Sequence, residues 1–249
     1  MRLQGKRALV TGSSRGIGAE VARLFAREGA QVAVNYRASK SDADGVVKSI
    51  TDVGGKAIAL GCDVSDPASV ATMFRTIKRR LGGLDVLVNN AGMADRTIWN
   101  AKLEEVTLSM WRRVFEVDTF GTFNCSQAAA ELMKHGGSIV NVTSTPALAG
   151  DTEGLVYASA KGAVLSMTRM LALTLAPRIR VNCMIFGSIG TDWMEWLDKK
   201  QVKRYRSAIP LKRFGSPQDA AHLALFLASD ESSFITGQAI VADGGEVRH

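Results

Sequence analysis

The stretch LVTGSSRGIGAEVARLFAREG, residues 9–29, predicts the fold of the whole chain. It joins the end of an apolar strand to a helical pattern through Gly12, Gly16 and Gly18. Glycine suits such a turn because a side chain would keep a ligand's phosphates away from the backbone amides that begin the helix. The stretch therefore predicts a dinucleotide-binding turn after the first strand, with an ordinary tight strand-to-helix turn as the alternative.

Short β-rich runs alternate with longer helical patterns along the whole chain. The predicted strands are 7–12, 31–36, 56–62, 84–92, 137–144, 179–187 and 238–245. The predicted helices are 16–28, 40–53, 67–81, 102–134 with a break near 111, 155–176, 191–207 and 217–229. This alternation predicts an α/β fold of the Rossmann type, a doubly wound sheet of seven parallel strands with helices on both faces. Because no linker or repeat interrupts it, we expect residues 1–249 to form a single domain, with a small substrate lid at about 188–214.

The composition suits one large α/β domain, since 46% of the 249 residues are hydrophobic and 22% are charged. No run of about 18 apolar residues appears, and the chain enters a strand almost at once, which leaves no room for a signal peptide. We therefore expect a soluble cytoplasmic protein with no membrane partner.

Cysteines and histidines give no sign of a disulfide framework or a metal site. Cys62, Cys125 and Cys183 are odd in number and far apart, so they are expected to be small buried apolar residues. The three histidines, His135, His222 and His249, share no ligand spacing and are expected at the surface.

The net charge of +7 could serve a nucleic acid, an anionic small molecule or an acidic partner protein. The basic residues are scattered over several helices, with one denser stretch, DKKQVKRYR, at 198–206. No nucleic-acid recognition motif accompanies them, so we expect no nucleic-acid partner and interpret the basic residues mainly as a solvated face.

The stretch VYASAKGAVLSMTRM, residues 156–170, carries Tyr157 and Lys161 on one face of a predicted helix. Reduction of a ketone needs a proton delivered to oxygen, and a lysine one turn away lowers a phenol pKa from its ordinary value near 10. Such a pair also arises by chance in many helices, so it favours this chemistry only weakly by itself.

Further motifs carry a resemblance to a known family. TGSSRGIG has the spacing G-x-x-x-G-x-G, and it is followed in order by CDVSD at 62–66, NNAG at 89–92, Ser144, YASAK at 157–161, IRVN at 179–182 and ITGQAIVADGG at 235–245. Together these landmarks resemble the short-chain dehydrogenase/reductase family over nearly the full length. The sequence looks most like the 3-oxoacyl-[acyl-carrier-protein] reductases and glucose dehydrogenases of that family.

The resemblance implies two sets of site residues. The implied catalytic residues are Ser144, Tyr157, Lys161 and Asp118. The implied cofactor-binding residues are Gly12, Ser14, Arg15, Gly16, Ile17, Gly18, Arg37, Asp63, Val64, Asn90, Ala91, Gly92, Tyr157, Lys161, Ile189 and Thr191. Within the second set, Asp63 and Val64 would face the adenine, residues 90–92 would line the ribose, and Ile189 and Thr191 would hold the nicotinamide carboxamide.

The end of the second predicted strand, VAVNYRASK, favours NADP(H) as cofactor. An acid there would accept hydrogen bonds from the ribose of NAD, whereas this chain has Asn35, Tyr36 and Arg37. Arg37, together with Arg15 of the glycine loop, would bind a 2′-phosphate through paired hydrogen bonds. NAD(H) remains possible, because relatives with this strand end can use both nucleotides.

Two positions depart from the family pattern. Asp118 stands where the family usually has an asparagine whose backbone helps to hold a water in a proton relay to the lysine. A carboxylate there would partly offset the effect of Lys161 on Tyr157, which predicts an active enzyme with a shifted pH optimum. Phe186 stands where proline is common, and core packing is the favoured interpretation over a reshaped nicotinamide pocket.

Three substrate classes remain open: a 3-oxoacyl thioester on an acidic carrier protein or coenzyme A, a sugar or polyol, and another small ketone. A catalytically idle NADP-binding regulatory protein is the alternative from a different class. In the lid, Trp193, Met194 and Trp196 would either face the substrate or anchor the segment to the body. The family resemblance also implies a homotetramer.

Overall fold

A seven-stranded parallel sheet forms the centre of the computed structural model, which describes residues 1–247. The strands are β1 Arg7–Val10, β2 Gln31–Tyr36, β3 Lys56–Gly61, β4 Val86–Asn89, β5 Gly137–Ser144, β6 Ile179–Phe186 and β7 Ala239–Ala242. Their order is β3-β2-β1-β4-β5-β6-β7, and every pair of neighbours is parallel. The predicted fold class is therefore confirmed.

The order of the strands fixes where a ligand can enter. The chain moves outward from β1 to β2 and β3, then returns to place β4 on the other side of β1. The loops after β1 and β4 therefore part in opposite directions, which opens a crevice at the carboxyl ends of these two strands. The glycine loop follows β1, and the NNAG motif begins at the end of β4.

Ten α-helices occur in the described residues. They are α1 Gly16–Arg27, α2 Lys40–Thr51, α3 Pro67–Leu81, α4 Arg96–Trp99, α5 Leu108–Phe115, α6 Gly121–Leu132, α7 Pro146–Ala149, α8 Leu155–Leu175, α9 Lys199–Ala208 and α10 Pro217–Ala228. Polar side chains cap two of these helices: Asp66 accepts hydrogen bonds from the N–H groups of Ala68 and Ser69 at the start of α3, and Ser216 accepts from Asp219 N–H at the start of α10.

Two segments predicted as long helices are divided into shorter elements in the structure. The helix predicted at 102–134 is a 3₁₀ turn at Leu103–Glu105, then α5 and α6 joined by a π-helical turn at Glu116–Phe120, so its main irregularity lies after the expected position 111. The helix predicted at 191–207 is a 3₁₀ turn at Asp192–Trp196 followed by α9. Each later helix has its own start, because Thr107 caps α5 and Asp198 caps α9.

Helices cover both faces of the sheet, and the side chains of each strand alternate between them. On one face Ala8 and Val10 of β1 pack in a buried cluster with α1, α2 and α10. On the other face Leu9 packs in a cluster with α3, α6 and α8. Burial on both faces explains why the strands are almost continuously apolar.

The three cysteines are buried, as predicted. Burial raises the pKa of the Cys183 thiol to about 12, so the thiol stays protonated at neutral pH. His135 and His222 are exposed, as predicted, and His249 lies outside the described residues. Among residues 1–247, no group of three or more histidine, cysteine or acidic side chains is arranged to bind a metal. Nor does that part of the chain contain a helix long and apolar enough to cross a membrane.

Candidate active site

The glycine loop forms a close-fitting cradle after β1. Gly12 and Gly16 have φ values of +60° and +57°, in the left-handed region that favours glycine. A Cβ at Gly12 would lie 2.8 Å from the Cα of Ala91, and one at Gly18 would lie 2.5 Å from Nδ2 of Asn90. The backbone therefore requires glycine at both positions.

The first amides of α1 are available to a ligand. Arg15 precedes the helix in an extended conformation, and its side chain forms no capping hydrogen bond. Uncapped amides at a helix start, in a loop without side chains in the way, fit the pyrophosphate of a dinucleotide. Ser14 and Ile17 lie half-buried in the same loop. A Cβ at Gly16 would lie 3.7 Å from Cγ2 of Thr191, so the loop after β6 faces this cradle.

A hydrogen-bond network joins the glycine loop to the NNAG loop. Thr11 Oγ1 accepts from the backbone N–H groups of Asn90 and Ala91, both at 3.0 Å. Asn90 Nδ2 donates to the carbonyls of Thr11 at 2.9 Å and Gly12 at 3.1 Å. The side chain of Asn90 therefore braces the cradle, and Ala91 and Gly92 follow it along the crevice.

The end of β2 carries one buried polar side chain, Asn35, and one exposed charged side chain, Arg37. Asn35 is 2% exposed, its Oδ1 accepts from Gly12 N–H at 3.0 Å, and its Nδ2 donates to the carbonyl of Cys62 at 3.1 Å. Asn35 therefore holds the glycine loop against the strands. Arg37 is exposed and lies close enough to Asp63 to affect its titration. Partial burial acts to raise the pKa of Asp63, but hydrogen bonds from Ser65 and the charge of Arg37 lower it overall.

Arg15 and Val64, two of the expected cofactor-binding residues, contact other protein groups in the structure. The exposed guanidinium of Arg15 pairs with Asp192 at 3.2 Å, which links the glycine loop to the segment after β6. Val64 is 5% exposed and packs beside Gly121. Their roles toward the cofactor stay predictions.

Ser144, Tyr157 and Lys161 meet at the carboxyl ends of the central strands. Ser144 ends β5, and its hydroxyl donates to the Phe186 carbonyl at 3.2 Å. Tyr157 is half-buried in the first turn of α8, and Lys161 follows one turn later with its Nζ 5.6 Å from the centre of the tyrosine ring. Lys161 Nζ also donates to the Val142 carbonyl at 3.3 Å. The helix thus places its acid and its cation beside the end of β5.

Asp118 lies directly beside Lys161. Its side chain is fully buried in the π-helical turn, with Oδ1 2.9 Å from Lys161 Nζ and Oδ2 accepting from Met93 N–H at 2.8 Å. Its backbone carbonyl accepts from Thr122 Oγ1 at 2.7 Å. The contact between Asp118 Oδ1 and Lys161 Nζ is therefore a buried ion pair.

The expected fall in the Tyr157 pKa does not occur in this structure. Burial raises the pKa of Tyr157 above its ordinary value. The charge of Lys161 and the hydroxyl of Ser144 act to lower that pKa, but the Asp118 carboxylate acts to raise it. Burial also acts to lower the pKa of Lys161, but the charges of Asp118 and Tyr157 raise it overall. Tyr157 is therefore a protonated phenol and Lys161 an ammonium at neutral pH.

The segment 188–214, expected to be a lid, is attached near its base. Ile189 is buried and forms a bridge with Gly215, while Thr191 lies half-buried beside the glycine loop. Trp193 donates its indole N–H to the Ile189 carbonyl and packs edge-on against Tyr205, with ring centres 6.2 Å apart. These contacts favour the anchoring interpretation of Trp193.

Phe186 is 4% exposed and packs in the core cluster beside α10, which confirms the core-packing interpretation. Its carbonyl still serves the site, because it accepts the hydrogen bond from Ser144.

Trp99 is a site residue that the sequence did not single out. Its ring packs edge-on against Tyr157, with ring centres 5.5 Å apart. Its indole N–H donates to Glu153 at 3.0 Å, and its carbonyl accepts from Gly154 N–H at 2.8 Å. A Cβ at Gly154 would lie 2.7 Å from the indole ring, so glycine permits this approach. The sequence signal for Trp99 is its place in MADRTIWN, residues 93–100, a stretch after NNAG that is expected on the substrate side.

A glycine cradle at the switch point of a parallel sheet, beside a buried lysine and a tyrosine, defines a nicotinamide-dependent oxidoreductase. The comparisons agree with this class. A family model described as enoyl-(acyl carrier protein) reductase matches residues 12–246. The chain belongs to the short-chain dehydrogenase/reductase family, whose members act on alcohol and carbonyl groups.

Three relatives cover almost the whole chain. The 3-oxoacyl-[acyl-carrier-protein] reductase of Thermotoga maritima is 40% identical over an alignment of 251 positions, which covers 99% of this chain and 100% of that protein. Glucose 1-dehydrogenase 2 of Bacillus subtilis is 37% identical over an alignment of 252 positions, which covers 98% of this chain and 95% of that protein. The structure of a gluconate 5-dehydrogenase from Burkholderia cenocepacia, in complex with NADP and tartrate, is 32% identical with a TM-score of 0.91, covering 98% and 96% of the two chains.

Proposed function

We propose that this protein reduces a ketone to a secondary alcohol with NADPH, and catalyses the reverse oxidation, using Tyr157 as acid and base. The observation that carries the proposal is the grouping of Ser144, Tyr157 and Lys161 beside the glycine cradle at the carboxyl ends of β1, β4 and β5. The bound nicotinamide would supply or accept the hydride. An idle regulatory protein is disfavoured, because such a protein would not need all three side chains in place.

The side chains divide the work on the substrate oxygen. The Ser144 hydroxyl would hold the carbonyl, and Tyr157 would donate its phenolic proton to the oxygen as negative charge develops there. The raised pKa of Tyr157 keeps that proton on the phenol at neutral pH, which suits reduction. Oxidation needs the phenolate, so its rate should rise as the pH increases toward the tyrosine pKa. The positive charge of Lys161 would stabilise the phenolate and so lower the pH at which oxidation becomes fast.

We propose NADP(H) as the preferred cofactor, held by Gly12, Ser14, Arg15, Gly16, Ile17 and Gly18 at the phosphates and by Arg37 at the 2′-phosphate. No acidic side chain occurs at 35–37 to repel that phosphate. The NADP in the gluconate 5-dehydrogenase structure supports this choice. NAD(H) is the second candidate, since relatives with a strand end like that of β2 can use both nucleotides.

Replacing Arg37 with alanine tests the cofactor proposal. We expect Arg37→Ala to weaken NADPH binding about tenfold, because one charge-assisted contact to the phosphate is lost, and to leave NADH binding unchanged. Arg75→Ala, a change at an exposed arginine on α3, is the matched control. Equal losses for both nucleotides in Arg37→Ala would contradict the assignment, and titration calorimetry measures them.

Two substrate classes have specific support. A 3-oxoacyl thioester on an acidic carrier fits the relative from Thermotoga maritima and the net charge of +7, of which α9 presents Lys199, Lys200, Lys203, Arg204 and Arg206. A sugar or polyol is the substrate class that the name of Glucose 1-dehydrogenase 2 suggests. The Trp99–Glu153 pair beside Tyr157 also supports this class. The indole face could pack against the C–H groups of a sugar, and the carboxylate could accept hydrogen bonds from its hydroxyl groups. We favour the acyl thioester, with the polyol as second candidate.

A substrate panel of acyl thioesters, sugars and small ketones, assayed with NADPH and NADH in parallel, tests the function. We expect turnover of at least one class, reduced about 10²- to 10⁴-fold in Tyr157→Phe, because general acid catalysis contributes about that much. Tyr205→Phe, a tyrosine on α9, is the matched control. Tight NADPH binding by the wild-type protein without turnover of any panel member would support the idle regulatory protein instead.

We also propose a homotetramer in the cytoplasm, with no nucleic-acid or membrane partner. Exposed apolar side chains on the joined helices α5–α6 and on α8 support assembly, among them Phe120, Phe123, Met170 and Leu173. Fully exposed Phe234, before β7, supports a second contact surface.

A further inference from the structure

The chain turns back after β7 and reaches the loop that follows β6. Asp243 builds the turn: its carboxylate accepts from Gly245 N–H at 2.8 Å and from Val247 N–H at 2.7 Å. Gly244 and Gly245 adopt φ values of +66° and +84°, which allow the tight reversal. We call Asp243–Glu246 the C-terminal clasp.

Glu246 of the clasp binds the loop after β6 with both carboxylate oxygens. Oε2 accepts from Ser188 N–H and Oε1 accepts from Ser188 Oγ, each at 2.8 Å. A Cβ at Gly187 would lie 2.3 Å from Oε2, so glycine at 187 is what lets the carboxylate approach. Two charge-assisted hydrogen bonds to one residue fix both its position and its orientation.

The same clasp holds the far end of the segment 188–214. Leu211 N–H donates to the Gly244 carbonyl at 3.2 Å, and a Cβ at Gly245 would lie 3.0 Å from Cγ of Pro210. β6 and β7 are paired with Phe186 opposite Ala242, so both strands end at the same level. The clasp therefore fastens both ends of a segment that begins one residue before Ile189 and contains Thr191.

We propose that Glu246 is a positioning residue for the nicotinamide end of the cofactor. By fixing Ser188, Glu246 sets the path of the backbone through Ile189 and Thr191 before the cofactor arrives, so less conformational freedom is lost on binding. The inference rests on the proposed function, which assigns Ile189 and Thr191 to the carboxamide. Glu246 does not touch the reacting atoms and acts through Ser188.

Comparing a whole cofactor with its adenine half tests the inference. In Glu246→Ala we expect NADPH to bind about tenfold more weakly, because charge-assisted hydrogen bonds are lost, whereas adenosine 2′,5′-bisphosphate binds as before. The NADPH affinity of Glu246→Gln should lie between those of the wild-type protein and Glu246→Ala, since the amide oxygen of glutamine can still accept from Ser188 N–H. Glu231→Ala is the matched control: Glu231 pairs with Arg2, which precedes β1 and so lies on the side of the strands' amino ends, whereas the clasp follows the carboxyl end of β7.

A second variant keeps the test independent of overall folding. Ser188→Ala removes only the hydroxyl contact, so we expect a smaller loss of NADPH affinity and little further loss when it is added to Glu246→Ala. Unchanged NADPH affinity in Glu246→Ala, or an equal loss for NADPH and the bisphosphate, would overturn the inference. Failure of the wild-type protein to bind either nicotinamide nucleotide would instead overturn the proposed function.

Discussion

Asp118 and Lys161 set the protonation of the candidate acid through opposing charges. Lys161 alone would lower the pKa of Tyr157, but the Asp118 carboxylate lies 2.9 Å from the ammonium and raises the tyrosine pKa. Burial of the phenol acts in the same direction as Asp118. The Asp118 carboxylate therefore works against the cation beside it in its effect on the Tyr157 pKa.

Asp118→Asn should shift the pH profile of alcohol oxidation to lower pH. The substitution removes a negative charge that raises the Tyr157 pKa, so the phenolate forms at lower pH as long as Lys161 stays protonated. The pH dependence of kcat/KM in the oxidative direction measures the shift, because it reports the essential base of the free enzyme.

Glu116→Gln is the control for that shift, since Glu116 lies exposed in the same π-helical turn. An unchanged profile in Asp118→Asn would mean that the carboxylate does not influence Tyr157. A shift to higher pH would mean that Lys161 has lost its proton together with its partner.

Gly18 in α1 and Gly45 in α2 differ in how much space surrounds them. Gly18 in α1 faces the NNAG loop with no room for a Cβ, whereas nothing lies within 4 Å of a Cβ at Gly45 in α2. Both residues occupy helices, but only Gly18 belongs to the spaced glycine motif that follows β1. Contact between the loops after β1 and β4 makes only the first glycine necessary.

Gly18→Ala should destabilise the protein by about 1–3 kcal/mol and weaken NADPH binding, because the methyl group would force the glycine loop away from Asn90. Thermal unfolding and nucleotide titration measure the two effects. Gly45→Ala is the matched substitution and should stabilise the protein by about 0.5–1 kcal/mol without changing NADPH affinity. Equal effects at the two positions would contradict the close fit of the cradle.

At the scale of the whole molecule, the apolar surface of α8 and the π-helical turn has no cover within the described chain. Leu173 is 77% exposed, Met170 is 61% exposed and Phe120 is 54% exposed. Apolar side chains concentrated on two helices favour contact with another subunit over exposure to water.

Leu173→Glu should reduce the mass of the assembly in solution, because a buried unpaired carboxylate at a subunit contact opposes association. Light scattering after size-exclusion chromatography measures the mass. Val53→Glu places the same charge on an exposed apolar position between α2 and β3, outside these helices, and should leave the mass unchanged. An unchanged mass in Leu173→Glu would remove this helix from the proposed interface.

The sequence by itself determined the sheet and the two helical layers, because apolar period, glycine spacing and strand ends are local properties of the chain. The resemblance to the family then singled out Ser144, Tyr157 and Lys161 as predicted catalytic residues. The tertiary structure decided which other side chains contact these residues and the cofactor loops. The Asp118–Lys161 pair, Arg15 on Asp192, Trp99 against Tyr157 and Glu246 on Ser188 join residues far apart in sequence. Such contacts depend on where strands end side by side and on how much space each glycine leaves, and no local pattern records either quantity.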